Sequence, residues 1–257
     1  MKINSREELN HLQEFYSSRL HAQTKRILVC AGTGCVAGGS LLIYARLKEL
    51  MEEQGIRCEV VLEEEPHEHA DGAGHTCHCE ESAPEGARIG LKKSGCHGFC
   101  EMGPLLRIDP EGLLYIKVKV EDCEEIIERS ILKDEIVERL VYQDQSLKSY
   151  PRQEDIPFYK KQTRVALEYC GHINAESVRE YIAVGGYSAV AKALFDMTPQ
   201  QIVDEISDSS LRGRGGGGFP TGRKWAQVLR QPEEIKYVVC NGDEGDPGAF
   251  MDRSMME

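Results

Sequence analysis

The 257-residue chain has no apolar run long enough to span a bilayer, and its first residues, Met1-Lys2-Ile3-Asn4-Ser5-Arg6-Glu7-Glu8, lack the apolar segment of a secretory signal. Positive charge is also scarce: 31 Lys and Arg stand against 43 Asp and Glu, a net charge of -12. That balance disfavours nucleic acid or an anionic membrane surface as a general partner. Tryptophan occurs once, and no internal repeat is present. Neither Cys-x-x-Cys nor Gly-Lys-Ser/Thr occurs, which excludes a thioredoxin-type thiol pair and a Walker A phosphate loop.

What is present is the composition of a soluble globular chain, 40% hydrophobic and 29% charged. Its length suits one large domain or two modest ones, and the expected location is cytoplasmic. Ten cysteines without a secretory signal read as metal ligands, redox groups or buried apolar residues rather than a disulfide framework. Cys58, Cys123, Cys170 and Cys240 fall in or beside predicted elements, where a buried thiol is the ordinary reading.

Ser5 and Glu8 form a capping-box pattern ahead of Leu9, Leu12, Phe15 and Tyr16, which predicts a helix over 5–21. A buried strand over 25–30 runs into the loop 31–34. Ser40 is placed to cap a second helix with Leu42, Ile43, Leu47, Leu50 and Met51 on one face, and a strand over 57–62 follows Gly55. Strand, helix and strand in that order imply a parallel crossover. The sheet resumes at 88–93. A hairpin over 105–118 turns at Pro110-Glu111-Gly112, and a helix over 121–140 closes the unit.

Residues 63–86 are acidic and His-rich and read as a solvated surface insertion. Within it His67, His69, His75, Cys77, His78 and Cys79 have the composition of a soft-metal site, the solvated insertion being the preferred reading. Polar residues with Pro151 and Pro157 predict an extended linker over 142–170. Short helices are expected at 175–183, 188–195, 200–206 and 224–229. A strand over 236–240 then leads into the acidic loop 241–248.

Two cysteine pairs lie at the ends of predicted strands, Cys30-x4-Cys35 and Cys96-x3-Cys100, both flanked by glycines. Glycines let backbone N–H groups turn toward sulfur, and four thiolates match a [2Fe–2S] centre. Spacing alone leaves a four-thiolate zinc site open. On this strand–helix–strand and hairpin pattern, the cysteine spacing resembles the thioredoxin-like [2Fe–2S] ferredoxin family. The resemblance covers roughly residues 1 to 140 and implies that Cys30, Cys35, Cys96 and Cys100 are the cluster ligands.

The second cluster of signals is the basic, glycine-rich stretch 211–225. Gly213-x-Gly215-x-x-Gly218 fits the dinucleotide pattern, but it follows a polar helix and leads into Phe219-Pro220, so its surroundings are not those of a Rossmann loop. Four consecutive glycines expose backbone on which a flat or anionic ligand can lie. The run Leu211-Arg212-Gly213-Arg214-Gly215-Gly216-Gly217-Gly218-Phe219-Pro220-Thr221-Gly222-Arg223-Lys224-Trp225, followed by Cys240-Asn241-Gly242-Asp243-Glu244-Gly245-Asp246-Pro247-Gly248, resembles the FMN- and NADH-binding subunit of complex I. The same module occurs in the diaphorase subunits of NAD(P)-linked, electron-bifurcating hydrogenases and of formate dehydrogenases. Gly216-Gly217-Gly218 departs from the Gly-Ala-Gly common in that family.

The resemblance implies that Gly213, Arg214, Gly215, Gly217 and Lys224 contact FMN or NADH and that Phe219 flanks the nucleotide path. It assigns Asn241, Asp243 and Glu244 to flavin or nucleotide hydroxyls. The fold class it implies is α/β: a thioredoxin-like [2Fe–2S] ferredoxin domain over 1–141, the linker 142–170, and the N-terminal part of an FMN-binding domain over 171–257. The implied function is an NAD(P)H dehydrogenase of diaphorase type, in which hydride passes from NAD(P)H to FMN and single electrons pass on to iron–sulfur clusters. The implied partners are other iron–sulfur subunits of a hydrogenase-, formate dehydrogenase- or complex I-like assembly. The family's C-terminal [4Fe–4S] motif is not in the chain, which predicts a fragment with weak or no diaphorase activity. The competing expectations are a non-enzymatic [2Fe–2S] electron carrier with a docking tail and a zinc-binding interaction module.

Overall fold

The computed structural model describes residues 3–60, 62, 88–249 and 251–256. The insertion expected at 63–86, with its His- and Cys-rich tract, lies outside the described residues. The chain is α/β, as expected. Helix α1 (Arg6–His21) starts at Ser5, whose hydroxyl accepts the Glu8 N–H at 3.1 Å. The Glu8 carboxylate reaches back to the N–H of Asn4 rather than that of Ser5, so only half of the expected capping box forms.

Strand β1 (Gln23–Cys30) is the middle strand of a five-stranded sheet ordered β2-β3-β1-β4-β5. It runs parallel to β3 (Arg88–Ser94) and antiparallel to β4 (Leu106–Asp109). Short β2 (Cys58–Glu59) pairs parallel with β3, and β5 (Leu113–Tyr115) closes the hairpin with β4. This topology contains both the parallel crossover and the hairpin read from the pattern. Because β1 is central, Ile27, Leu28, Val29 and Cys30 are all buried, and Cys30 emerges at the strand's C-terminal end already desolvated.

After β1 comes the short helix α2 (Thr33–Ala37), in place of an open loop. The crossover helix α3 (Ser40–Glu53) lays Ile43, Leu47, Leu50 and Met51 on the sheet. Each such buried side chain contributes about 1.5–3 kcal/mol relative to exposure. Gly39, at φ 93°, takes the N-cap position that Ser40 was expected to hold, and Ser40 is instead the wholly buried first helical residue.

The single helix expected over 121–140 does not form. A 3-10 turn at Val120–Asp122 leads into α4 (Cys123–Glu125), a π-helical stretch Ile126–Ile131, and then non-helical backbone. Asp134 adopts φ 58° and ends helical progress. Tyr115 ties the returning chain down, its hydroxyl pairing with Ser130 Oγ at 2.7 Å and accepting the Val137 N–H at 2.8 Å.

The segment expected as an extended linker is folded against the sheet. It contains the hairpin β6 (Tyr142–Gln143) and β7 (Ser149–Tyr150), a 3-10 turn at Gln153–Asp155, and α5 (Pro157–Lys160). Ile156 and Tyr159 are buried in a cluster with Cys30, Cys35, Phe99, Leu105 and Leu114. Its aromatics make it cohesive: Phe99 stacks on Phe158 at 4.9 Å and meets Tyr159 edge-on at 5.6 Å.

Helices α6 (Val178–Ala183) and α7 (Ser188–Asp196) pack Ile182, Ala183 and Ala191 against Leu9, Leu12, Tyr16 and Leu20 of α1. Helix α8 (Pro199–Asp208) crosses α9 (Thr221–Leu229) at Gly222, where a Cβ would lie 2.2 Å from Ser207 Oγ. The strand expected at 236–240 is not formed. Val238 and Val239 are 98% and 86% exposed, and no strand among the described residues pairs with this backbone. A final helix, α10, covers Met251–Met256. No helix among the described residues is long and apolar enough to cross a membrane.

Candidate functional site

The fold brings the four predicted ligands together. Cys30 ends β1 and Cys35 sits in α2; Cys96 and Cys100 lie in the loop that follows β3. The first three are buried and Cys100 is exposed. Cys96 Sγ is 3.9 Å from Cys100 Sγ, and the Cys30 thiol interacts electrostatically with those of Cys35 and Cys96. The solvent side of the group lies at Cys100.

One backbone N–H donates to a cluster sulfur in hydrogen-bond geometry, that of Gly98 to Cys96 Sγ at 3.4 Å. Such donors stabilise thiolate charge. As thiols, neighbouring members of the group compete for protons. The Cys30 thiol is pushed up to about 12, first by its hydrogen bond to Cys35 and further by burial. Cys35, on the accepting side, is lowered. A metal centre resolves this crowding by replacing protons with positive charge.

Most of the flanking glycines serve a different purpose from the one expected. Among them only Gly98 donates to a sulfur, at 3.4 Å to Cys96. Gly32, Gly34 and Gly103 provide clearance at the cysteines. A Cβ at Gly32 would lie 2.9 Å from Cys96 Cβ, and one at Gly103 would lie 2.8 Å from Cys35 Sγ. This cradle and its four-thiol donor set fit a [2Fe–2S] centre, which spreads its thiolates over two irons.

His97 is a buried residue beside the cysteines whose setting the spacing alone did not reveal. It is wholly buried between two cysteines, with Nε2 at 2.9 Å from Ser94 Oγ and Nδ1 at 3.4 Å from Gln153 Oε1. Burial first, and then the nearby Arg107 charge, hold its pKa down to about 3, so the ring is neutral. Arg107 donates to Gln153 Oε1 at 2.9 Å and to Asp109 Oδ1 at 2.7 Å, which anchors this network to β4. Its position between Cys96 and Cys100 was visible in the sequence; its burial was not.

The glycine loop is closed at its neck and open at its tip. Gly213 N–H donates to Phe219 O at 2.8 Å, and Thr221 N–H to Leu211 O at 2.9 Å. At Gly215, Gly216 and Gly217 an added Cβ would meet nothing within 4 Å. Arg212 Nε donates to Gly218 O at 2.7 Å, and Arg214 to Arg212 O. Phe219 is 42% exposed, with the Arg223 guanidinium 5.7 Å above its ring, and Lys224 is exposed on α9.

In the acidic loop, Asn241 Oδ1 accepts the Asp243 N–H at 3.0 Å. The Glu244 carboxylate accepts the Asp252 N–H at 2.7 Å and the Arg253 N–H at 3.2 Å, so it is engaged with the start of α10. Among the described residues, no hydrogen bond, ion pair or ring contact joins the two loops. The structure thus brings the cysteines together but does not join the glycine and acidic loops.

Comparison with known proteins finds its family match at the C-terminal end. Residues 206–257 match the family model of the Nuo51 FMN-binding domain. The NADP-reducing hydrogenase subunit HndC of Solidesulfovibrio fructosivorans is 54% identical over 98 residues, 38% of this chain and 20% of that one. The F 2 component of the NADH-quinone oxidoreductase of Rhizobium meliloti is 54% identical over 77 residues, 30% of this chain and 18% of that one. The chain therefore spans about a fifth of the length of these relatives. Among solved structures, the thioredoxin-like [2Fe–2S] ferredoxin of Aquifex aeolicus covers 48% of this chain and 99% of its own, at TM-score 0.33 and 22% identity.

Proposed function

We propose that the chain belongs to a diaphorase-type NAD(P)H dehydrogenase subunit, in which a [2Fe–2S] unit is followed by residues of an FMN- and NAD(P)H-binding unit. One observation carries the reading: Cys30, Cys35, Cys96 and Cys100 gather in a glycine-lined cradle, with the Gly98 N–H on Cys96, in the same chain as the residues that match the FMN-binding model. FMN, when bound, accepts two electrons together and releases them singly, and an iron–sulfur centre takes them one at a time.

The chain's own residues supply the setting. The four thiolates would hold the centre, and the Gly98 N–H would stabilise its negative charge at Cys96. The bare backbone at Gly213, Gly215 and Gly217, with Arg214 and Lys224, suits phosphate and an electron-rich ring. Phe219 offers an exposed aromatic edge, and Asn241, Asp243 and Glu244 suit ribityl or ribose hydroxyls. Glu244 must leave the α10 backbone to do so. The partners are other iron–sulfur subunits of a hydrogenase-, formate dehydrogenase- or complex I-like assembly, in the cytoplasm.

A carrier reading, in which only the iron–sulfur unit functions, is favoured by the exposure of Tyr237, Val238 and Val239 beside the unassembled nucleotide loops. Anaerobic purification followed by iron, sulfide, zinc and flavin analysis separates the possibilities. Two irons and two sulfides with bound FMN support the diaphorase reading. The same centre without flavin affinity favours the carrier, and a colourless zinc protein overturns both.

A further inference from the structure

The segment 151–172 makes a specific contact with the cysteine loop. The His97 carbonyl accepts two hydrogen bonds from it, from Arg164 at 2.7 Å and from the Tyr159 hydroxyl at 3.1 Å. The Arg164 guanidinium also lies 5.2 Å from the centre of the Tyr159 ring, so the two donors support one another. Tyr159 is 8% exposed, and the charges it feels include Cys30, Cys35 and Cys96, which places it on the ligand side of the molecule.

That carbonyl belongs to the same peptide group as the Gly98 N–H, which donates to Cys96 Sγ at 3.4 Å. A donor at the oxygen of an amide polarises its N–H and strengthens the next bond in the chain. The peptide is held in this orientation by Gly98 at φ 78°, where a Cβ would lie 3.2 Å from the Arg164 guanidinium.

We infer that Arg164, with Tyr159, is a positioning residue that raises the reduction potential of the centre held by Cys30, Cys35, Cys96 and Cys100, acting through the His97–Gly98 peptide. The inference rests on the iron–sulfur reading above. Reduction adds one electron and one negative charge. A fixed cation and a strengthened hydrogen bond at a ligand sulfur both favour the more negative state. Removing Arg164 therefore shifts the equilibrium toward the oxidised form.

The test uses the full chain, wild type and Arg164→Gln, Arg164→Lys and Tyr159→Phe, each reconstituted anaerobically with iron and sulfide. Iron and sulfide content and the visible spectrum are measured first. An EPR-monitored potentiometric titration follows, with dithionite supplying the electron. The expected result is unchanged iron content in all four. Arg164→Gln lowers the reduction equilibrium constant by about tenfold, about 59 mV for a one-electron couple. Tyr159→Phe gives a smaller shift of the same sign, and Arg164→Lys recovers part of the loss because it keeps charge and one donor.

A wild-type chain without iron and sulfide overturns the parent reading and this inference with it. A wild-type chain with an intact centre, and Arg164→Gln at the same potential, overturns this inference alone. If Arg164→Gln fails to hold iron, Tyr159→Phe decides, an unchanged potential there overturning the inference.

Discussion

Lys92 and Glu180 form an ion pair at 2.6 Å with side chains 0% and 2% exposed, which joins β3 to α6. The Glu180 carboxylate also accepts the Asn174 N–H at 2.9 Å, so the loop before α6 depends on the same group. At that separation the attraction is about 6 kcal/mol with an effective dielectric constant of about 20. Desolvating two ions costs several kcal/mol each, so the intact pair contributes little net stability. Removing one partner is different, because the other charge is then buried alone.

Glu180→Leu is therefore expected to destabilise the chain by about 3–5 kcal/mol. With about 2–4 °C per kcal/mol for a chain of this size, the melting temperature falls by roughly 6–20 °C. Lys92→Met should cost a similar amount, while the double variant Lys92→Met/Glu180→Leu should recover most of the loss, because no charge is left unpaired. Thermal melts at one scan rate and one protein concentration measure all four corners of the cycle. Single variants within about 1 kcal/mol of wild type, or a double variant as unstable as the sum of the singles, would refute the reasoning.

Three further outcomes follow from local geometry. Gly103→Ala should reduce iron content several-fold after reconstitution, because its Cβ would lie 2.8 Å from Cys35 Sγ and 3.2 Å from the Cys100 carbonyl. Full iron content in that variant would show that the ligand loop can give way. Gly217→Ala meets nothing within 4 Å and should be neutral or stabilising by about 0.4–1 kcal/mol through the unfolded chain. Gly216→Ala, at φ 90°, should instead be destabilising, and a melt of each variant checks the contrast. Asp144 is held at about 2, first by the Ser146 hydroxyl and also by Tyr150 and two backbone N–H groups. Its folded value is depressed, so its contribution is complete above the ordinary carboxylate range and is lost as pH falls through about 2. Asp144→Asn should flatten the acid limb of the stability–pH profile in that window, and an unchanged limb would count against it.

The sheet was legible because β1, β3 and the β4–β5 hairpin carry short apolar runs punctuated by glycine and proline, and such patterns are local. The cysteine set was legible from spacing at strand ends. The packing of 142–170 was not, since its polar residues and two prolines match a linker, and what holds it down is remote in sequence. Tyr159 and Arg164 reach His97 across 62 and 67 residues. The broken helix after Val120 was hidden for a similar reason: Ile126, Ile127, Ile131 and Val137 are all buried as expected, but Tyr115 captures the backbone between them. The valines at 238 and 239 were read as a strand from their propensity alone. A strand also needs a neighbour, and none is present among the described residues.

The glycine loop has the opposite character to the cysteine cradle. In the cradle, glycines are required because neighbouring atoms leave no room, so the geometry is set before any cofactor arrives. At Gly215 and Gly217 there is no neighbouring atom to avoid, so fit within the chain does not call for glycine there, whereas Gly216 needs it for its φ of 90°. The neck hydrogen bonds hold the two ends of the loop together, while Arg212 and Arg214 spend their guanidinium groups on the loop's own carbonyls. Those are neutral acceptors, and a phosphate offers a stronger, charge-assisted one. An anionic ligand laid on the open tip would therefore draw the arginines away from the loop, replacing internal bonds with bonds to itself. Only the two arginine contacts are open to such competition, and the backbone bonds at the neck would remain.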